Sequence, residues 1–177
     1  MFTIAFAFTF AAGAFGTTLK DSPRKTTLDE LRGALNTDEK FWLRERTYNM
    51  SGHECVYAEM TNITQTEYEF NQHYRKNGEK VKIPLFARLS EGQDGAFMRV
   101  SHTKGGQGLR YTLKFWDDTE KCGILMLRKD GTRECEKHVW NRNIEYDTTR
   151  CNSAYTDYCP RRKSYQVYGK ECQKDDK

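Results

Sequence analysis

Cys122-Gly-Ile-Leu-Met-Leu-Arg-Lys-Asp-Gly-Thr-Arg-Glu-Cys135 decides how the chain is read. Apolar residues run up to Lys-Asp-Gly, and Asp-Gly supplies the positive φ that a two-residue hairpin loop requires, so the run predicts two antiparallel strands. A cysteine sits on each strand. Cys151, Cys159 and Cys172 follow, so the stretch from Cys122 to Cys172 holds five of the six cysteines. Between Asp147 and Tyr158, Cys151, Tyr155 and Tyr158 fall at helical spacing before Pro160, which predicts a short helix. Tyr165-Gln-Val-Tyr-Gly169 reads as a short strand. A hairpin, a helix and a terminal strand bury too little by themselves, so cross-links must tie them to the rest of the chain.

Working toward the N-terminus, eight strand candidates run in succession. They are Phe41 to Tyr48, Glu54 to Thr61, Thr64 to Arg75, Lys80 to Leu89, Ala96 to His102, Leu109 to Trp116, Cys122 to Arg128 and Thr132 to Trp140. Turn chemistry separates them: Asn77-Gly, Asp94-Gly95, Gly105-Gly-Gln-Gly108, Asp117-Asp and Asp130-Gly. Alternation marks half-buried strands, with Leu109, Tyr111, Leu113 and Phe115 on one face of the sixth strand and Arg110, Thr112 and Lys114 on the other. Tyr68 and Phe70 share a face of the third. Pro84 predicts a bulge or an edge in the fourth. No crossover-length helix separates the strands, so the expected fold is all-β: an eight-stranded antiparallel barrel, large enough to hold one small ligand. Ser22 to Asn36 adds a short N-terminal helix, with Thr27-Leu-Asp-Glu30 as capping box and Leu28, Leu31 and Leu35 as its apolar stripe.

The chain has 177 residues, 37% of them hydrophobic and 13% aromatic, which favours one aromatic-rich β domain over a leucine-rich bundle. Its 29 basic and 25 acidic residues are interspersed without a basic block, so no nucleic-acid partner is expected, and Arg161-Arg-Lys163 reads as a solvated loop. Residues 1–16 are uncharged and end in small residues, as a signal peptide's apolar core and cleavage region do, though the apolar run has no Lys or Arg ahead of it; a buried strand is the other reading. The expectation is a secreted chain whose mature part, residues 17–177, is a single domain without a membrane anchor. Six cysteines in an oxidising compartment imply three disulfides, for which fifteen connectivities are open. The four histidines are scattered, and no metal or other cofactor is expected. Sequons at Asn49 and Asn62 would lie on the surface as glycosylation sites.

The order Cys55, Cys122, Cys135-Glu136, Cys151 and Val167-Tyr-Gly-Lys-Glu-Cys172, with a helix before and after an eight-stranded meander, resembles the tick salivary lipocalins, which include the histamine-binding proteins. The resemblance covers roughly Leu28 to Cys172. It implies the bonds Cys55–Cys172, Cys122–Cys151 and Cys135–Cys159. If Cys135 bonds to a residue after the final helix, it must point out of the barrel. Alternation then sends Cys135, Lys137 and Val139 outward, and Glu134, Glu136, His138 and Trp140 inward or toward the rims.

The resemblance further implies a non-enzymatic monomer that sequesters a small host mediator, a biogenic amine such as histamine or serotonin being the first choice. Glu136 would pair with the cation, while Trp140, Tyr111, Phe115, Tyr68 and Phe70 supply aromatic walls, with His138, Asp29 and Trp42 completing the ligand set. Two stretches depart from the family's amine-binding pattern: Asp29-Glu-Leu-Arg32 and Cys135-Glu136-Lys-His138 keep the acids and lack the indole. On the residues alone, Glu136 could equally pair with an inward Arg or Lys, and the aromatics could be plain core. An apolar lipid mediator is the rival ligand and would need an inward cation such as Arg44, Arg46 or Arg99. Binding of a host plasma protein through the outer surface is the other reading. Catalysis is not expected, because no nucleophile–base pair or phosphate loop is present.

Overall fold

A computed structural model of the chain describes residues 24–160 and 162–176. The expected leader, residues 1–16, lies outside the described residues. Helix α1 (Leu28–Leu35) is followed by strands β1 (Phe41–Arg46), β2 (His53–Ile63), β3 (Glu67–Lys76), β4 (Glu79–Gly92), β5 (Gly95–Ser101), β6 (Leu109–Asp117), β7 (Cys122–Lys129) and β8 (Thr132–Trp140). A 3-10 turn (Asn141–Asn143), helix α2 (Thr149–Tyr158), the short strand β9 (Tyr165–Gln166) and a 3-10 helix (Lys170–Asp176) complete the order. Each strand from β2 to β8 pairs antiparallel with the next, β8 pairs with β1, and β1 closes on β2 through Phe41↔Ala58 and Trp42↔Tyr57. The sequence reading of a closed eight-stranded barrel with two helices holds.

The turns form as their composition requires. Asn77 and Gly78 carry φ of 52° and 88°, and Asp130 and Gly131 carry 50° and 77°, so both hairpins use left-handed backbone at their two loop positions. Pro84 causes no bulge, since β3 and β4 pair without a register shift. The pairing of β4 with β5 begins only at Phe86, so Pro84 lies where that side of β4 has no strand partner.

Helix α1 closes one end of the barrel. Thr27 and Glu30 form the predicted capping box, and Leu31 and Leu35 enter the core. The Thr26 carbonyl accepts from Ala96 N (3.0 Å), and the Thr26 hydroxyl donates to the Leu113 carbonyl (2.7 Å). Trp140 Nε1 donates to the Ala34 carbonyl at 2.9 Å, fastening the helix to the end of β8.

Helix α2 packs on the outside of β6–β8, tied there by Cys122–Cys151 and Cys135–Cys159. Its first amides are capped from another strand connection: Glu120 accepts from Arg150 N and Cys151 N. Beneath it, Lys137 is 3% exposed and pairs with Glu45, while its Nζ donates to Asn152 Oδ1 at 2.7 Å. The third bond, Cys55–Cys172, holds the C-terminal segment, and all three bonds are those the resemblance implied.

That segment fills a gap in the barrel wall. Beyond Trp42 and Tyr57, β1 and β2 no longer pair with each other; β9 pairs with β1, and Cys55 N donates to the Val167 carbonyl at 2.9 Å. Val167 sits buried between Leu43 and Val56, which both line the interior.

Candidate functional site

The barrel encloses a cavity of about 390 Å³, within the roughly 300–1,000 Å³ usual for small-molecule sites. Leu35 of α1 is at its floor. Met50, His53, His102 and Leu109, from the β1–β2 and β5–β6 ends, line the opposite end. Met50 and Leu109 are two of the few large apolar side chains left exposed, at 42% and 39%. Single exposed apolar groups are ordinary, but these two both line the cavity and reach solvent.

Glu136 is the only carboxylate among the described residues that line this cavity. It is 5% exposed and lies on the inward face of β8. Its Oε2 accepts from His138 Nε2 at 2.8 Å, and its Oε1 accepts from the Tyr48 hydroxyl. Burial pushes the carboxyl up, but the His138 contact, the Tyr48 hydrogen bond and the Arg46 charge outweigh it and hold the group below its ordinary value. The Tyr48 and Tyr111 hydroxyls are pushed the other way, by burial first and by Glu136 next, so both remain donors. Because Nε2 faces the carboxylate it carries the proton, which leaves Nδ1 of His138 as a buried nitrogen without a partner.

Arg46 stands opposite Glu136 across the β1–β8 ladder. It is 3% exposed, donates from Nη2 to the Met50 and His53 carbonyls at 3.1 Å each, and lies over the Tyr48 ring. The cavity therefore holds one buried anion and one buried cation side by side, within walls dominated by apolar and aromatic side chains. Tyr68, Phe70, Tyr74 and Tyr111 are among them, with Tyr68 stacked on Phe70 at 4.8 Å.

Of the residues expected to form the ligand set, Glu136, His138, Tyr68, Phe70 and Tyr111 converge on this cavity. The other four lie elsewhere. Phe115 packs outside, against Ile124 and the Cys135–Cys159 region beneath α2. The β6–β7 register shifts between Leu113 and Phe115, so Lys114 is the extra residue, and the shift reverses the faces that strict alternation would give. Trp116 takes the inner side instead, packed against the core. Trp42 is fully buried but on the outer wall, between Tyr57 and Tyr168, with Nε1 donating to Asn141 Oδ1 at 2.8 Å. Asp29 is 91% exposed and bonded to Arg32, because the buried stripe of α1 runs through Leu31 and Leu35 instead. Trp140 does point inward, yet it lies below the cavity floor beside Trp116, its one donor committed to Ala34.

Sequence reasoning missed Tyr48 and left Arg46 as one of three candidates. Of the other two, Arg44 donates to the Tyr146 carbonyl outside the barrel and Arg99 is exposed on the outer face. The sequon residues Asn49 and Asn62 are both exposed. The only grouping of possible metal ligands among the described residues, Glu120 with Cys122 and Cys151, is a disulfide beside the carboxylate that caps α2. No described helix is long and apolar enough to cross a membrane.

The profile described as tick histamine binding protein matches residues 19–174. No curated protein sequence gives a significant match. Two solved structures are similar in fold. One is the serotonin complex of AM182, at 17% identity and a TM-score of 0.64, over 85% of this chain and 94% of that one. The other is Japanin from Rhipicephalus appendiculatus bound to cholesterol, at 14% identity and a TM-score of 0.58, over 78% of this chain and 98% of that one.

Proposed function

The chain belongs to the tick histamine binding protein family, and from that premise we propose that its barrel sequesters a biogenic amine, with Glu136 as the counter-ion. The family is one of ligand-binding proteins, not of enzymes. One observation carries the amine reading: an ionised, buried carboxylate, the single acidic group among the described residues of a cavity lined mainly by aromatic and aliphatic side chains. Tyr48 and His138 each occupy one lone-pair site of Glu136, and a carboxylate has about four. An ammonium group can therefore add its own charge-assisted hydrogen bond while Tyr111, Tyr68 and Phe70 cover the apolar part of the ligand. Serotonin bound to the similar barrel of AM182 supports the ligand class.

Capture of this kind lowers the free concentration of a host mediator only where protein and mediator meet. Export through residues 1–16, glycans at Asn49 and Asn62, and a monomeric state all belong to this reading.

Calorimetric titration with serotonin and histamine tests it. Glu136→Gln keeps the shape and removes the charge, and should weaken amine binding roughly 10- to 100-fold, the value of a hydrogen bond to a charged group. Equal affinity in wild type and variant would overturn the mechanism.

Arg46 favours a second reading, in which its guanidinium pairs with the head group of an anionic lipid in the same cavity. Arg46→Gln separates the two. It should tighten amine binding by removing a competing cation, whereas under the lipid reading it should weaken binding of a long-chain fatty acid.

A further inference from the structure

The outer face of β4–β8 carries a row of arginines that no run in the sequence reveals. Arg88 pairs with Arg99 across β4–β5, Arg99 with Arg110 across β5–β6, and Arg128 with Arg133 across β7–β8. Tyr111↔Leu127 places Arg110 and Arg128 one residue beyond that pair on their own strands. Their sequence neighbours Ala87, Leu89, Met98, Tyr111, Leu127 and Glu134 are buried or line the barrel interior, so alternation turns all five arginines outward. With adjacent strands about 4.8 Å apart, the row crosses roughly 19 Å of surface.

Like charges directly opposite one another destabilise a sheet. Among the described residues no ion pair to a carboxylate is formed by Arg99, Arg110, Arg128 or Arg133. Four of the five are exposed, and Arg110 lies flat over the Phe97 ring at 3.8 Å with its Nε buried and unpartnered. A groove of about 940 Å³ runs along this face, lined by six cationic side chains against two carboxylates, Asp94 and Asp157. The two further cations are Lys25 and Lys114. Lys114 titrates below its ordinary range because it is part-buried and because Arg133 and Arg110 repel its proton, only partly offset by Asp94.

We propose that this groove docks a linear sulfated polysaccharide, whose regularly spaced anions match the cross-strand row of Arg99, Arg110, Arg128 and Arg133. A groove suits a chain better than a flat membrane, and among the described residues Leu109, at the cavity rim, and Pro160 are the only exposed apolar side chains on it. Single-stranded nucleic acid is bound on several stacked aromatic rings, and Tyr158 is the only aromatic ring among the described residues lining this groove. Three disulfides suit an oxidising compartment, where sulfated polysaccharide is the abundant linear polyanion.

Surface plasmon resonance with a size-defined heparin oligosaccharide tests it, using the double variant Arg99→Gln/Arg133→Gln. A charge-matched control, Lys82→Gln/Lys170→Gln, alters exposed lysines outside the groove. At physiological salt the groove variant should bind heparin at least tenfold more weakly and show a shallower dependence of log Kd on log salt, while the control stays near wild type. The groove variant removes like-charge repulsion, so it should fold, and circular dichroism checks that it does. Equal losses in both variants would reduce the effect to net charge and overturn the proposal. So would an absence of binding at that salt, or equally tight binding to a DNA oligonucleotide of the same charge or to phosphatidylserine vesicles.

Discussion

Arg46 and Glu136 are direct cross-strand partners inside the barrel, yet each makes its hydrogen bonds elsewhere. The guanidinium donates to the Met50 and His53 carbonyls, and the carboxylate accepts from Tyr48 and His138. Arg46 thus steadies the β1–β2 end of the cavity and still lowers the pKa of Glu136 through space. Glu136 keeps lone pairs free, which a ligand can use.

Stability should fall in acid. Glu45 and Glu136 are both held below the ordinary value of 4.5, each against the opposing effect of burial, by Lys137 and Ser164 in one case and by His138 and Tyr48 in the other. A depressed folded-state pKa contributes stability that is complete above the unfolded value and disappears as pH drops through the folded one. Urea midpoints measured from about pH 7 to about pH 3 should be flat at first and decline below about 4.5, and Glu45→Gln should reduce that decline.

The Lys137–Glu45 pair beneath α2 should show the asymmetry of buried ions. Lys137→Met leaves Glu45 partly buried without its cationic partner and should cost about 3–5 kcal/mol in chemical denaturation. The double variant Lys137→Met/Glu45→Leu should recover much of that loss.

Phe115→Ala should separate wall from cavity. The ring packs under α2, so truncation should destabilise the fold by about 3 kcal/mol while the ligand affinity of the folded fraction stays unchanged. Tyr68→Ala, whose ring faces the cavity, should weaken affinity as well.

Gly108→Ala should be destabilising although the residue lies in a loop. A Cβ there would come within 1.9 Å of the Val100 carbonyl oxygen, so the backbone at the start of β6 must move away from β5. The expected loss is about 1–3 kcal/mol, read as a lower Tm.

The strand order was legible because each hairpin announces itself. Asp130-Gly131 and Asn77-Gly78 demand left-handed backbone, and alternation on either side of them fixes which side chains share a face. The same alternation put Glu136 and His138 inside. It failed at Phe115 because a bulge is one residue inserted into a ladder and leaves no mark in composition. A similar shift between Leu43 and Glu45 in β1 is what turns Arg46 inward two residues after an outward Arg44. Trp42 was lost for another reason: its outer face is covered by Tyr168, and no local pattern reveals a segment arriving from so far along the chain. The arginine row was illegible because its members lie far apart in sequence and only the cross-strand register brings them together.

Val167 has a bearing on how the vessel is made. The slit between β1 and β2 is sewn shut by residues synthesised after all eight staves, and Cys55–Cys172 knots the thread. Until that late stitch is in place, Leu43 and Val56 form an unfinished seam, so a molecule stripped of it should leak its cargo sideways even with every barrel strand intact.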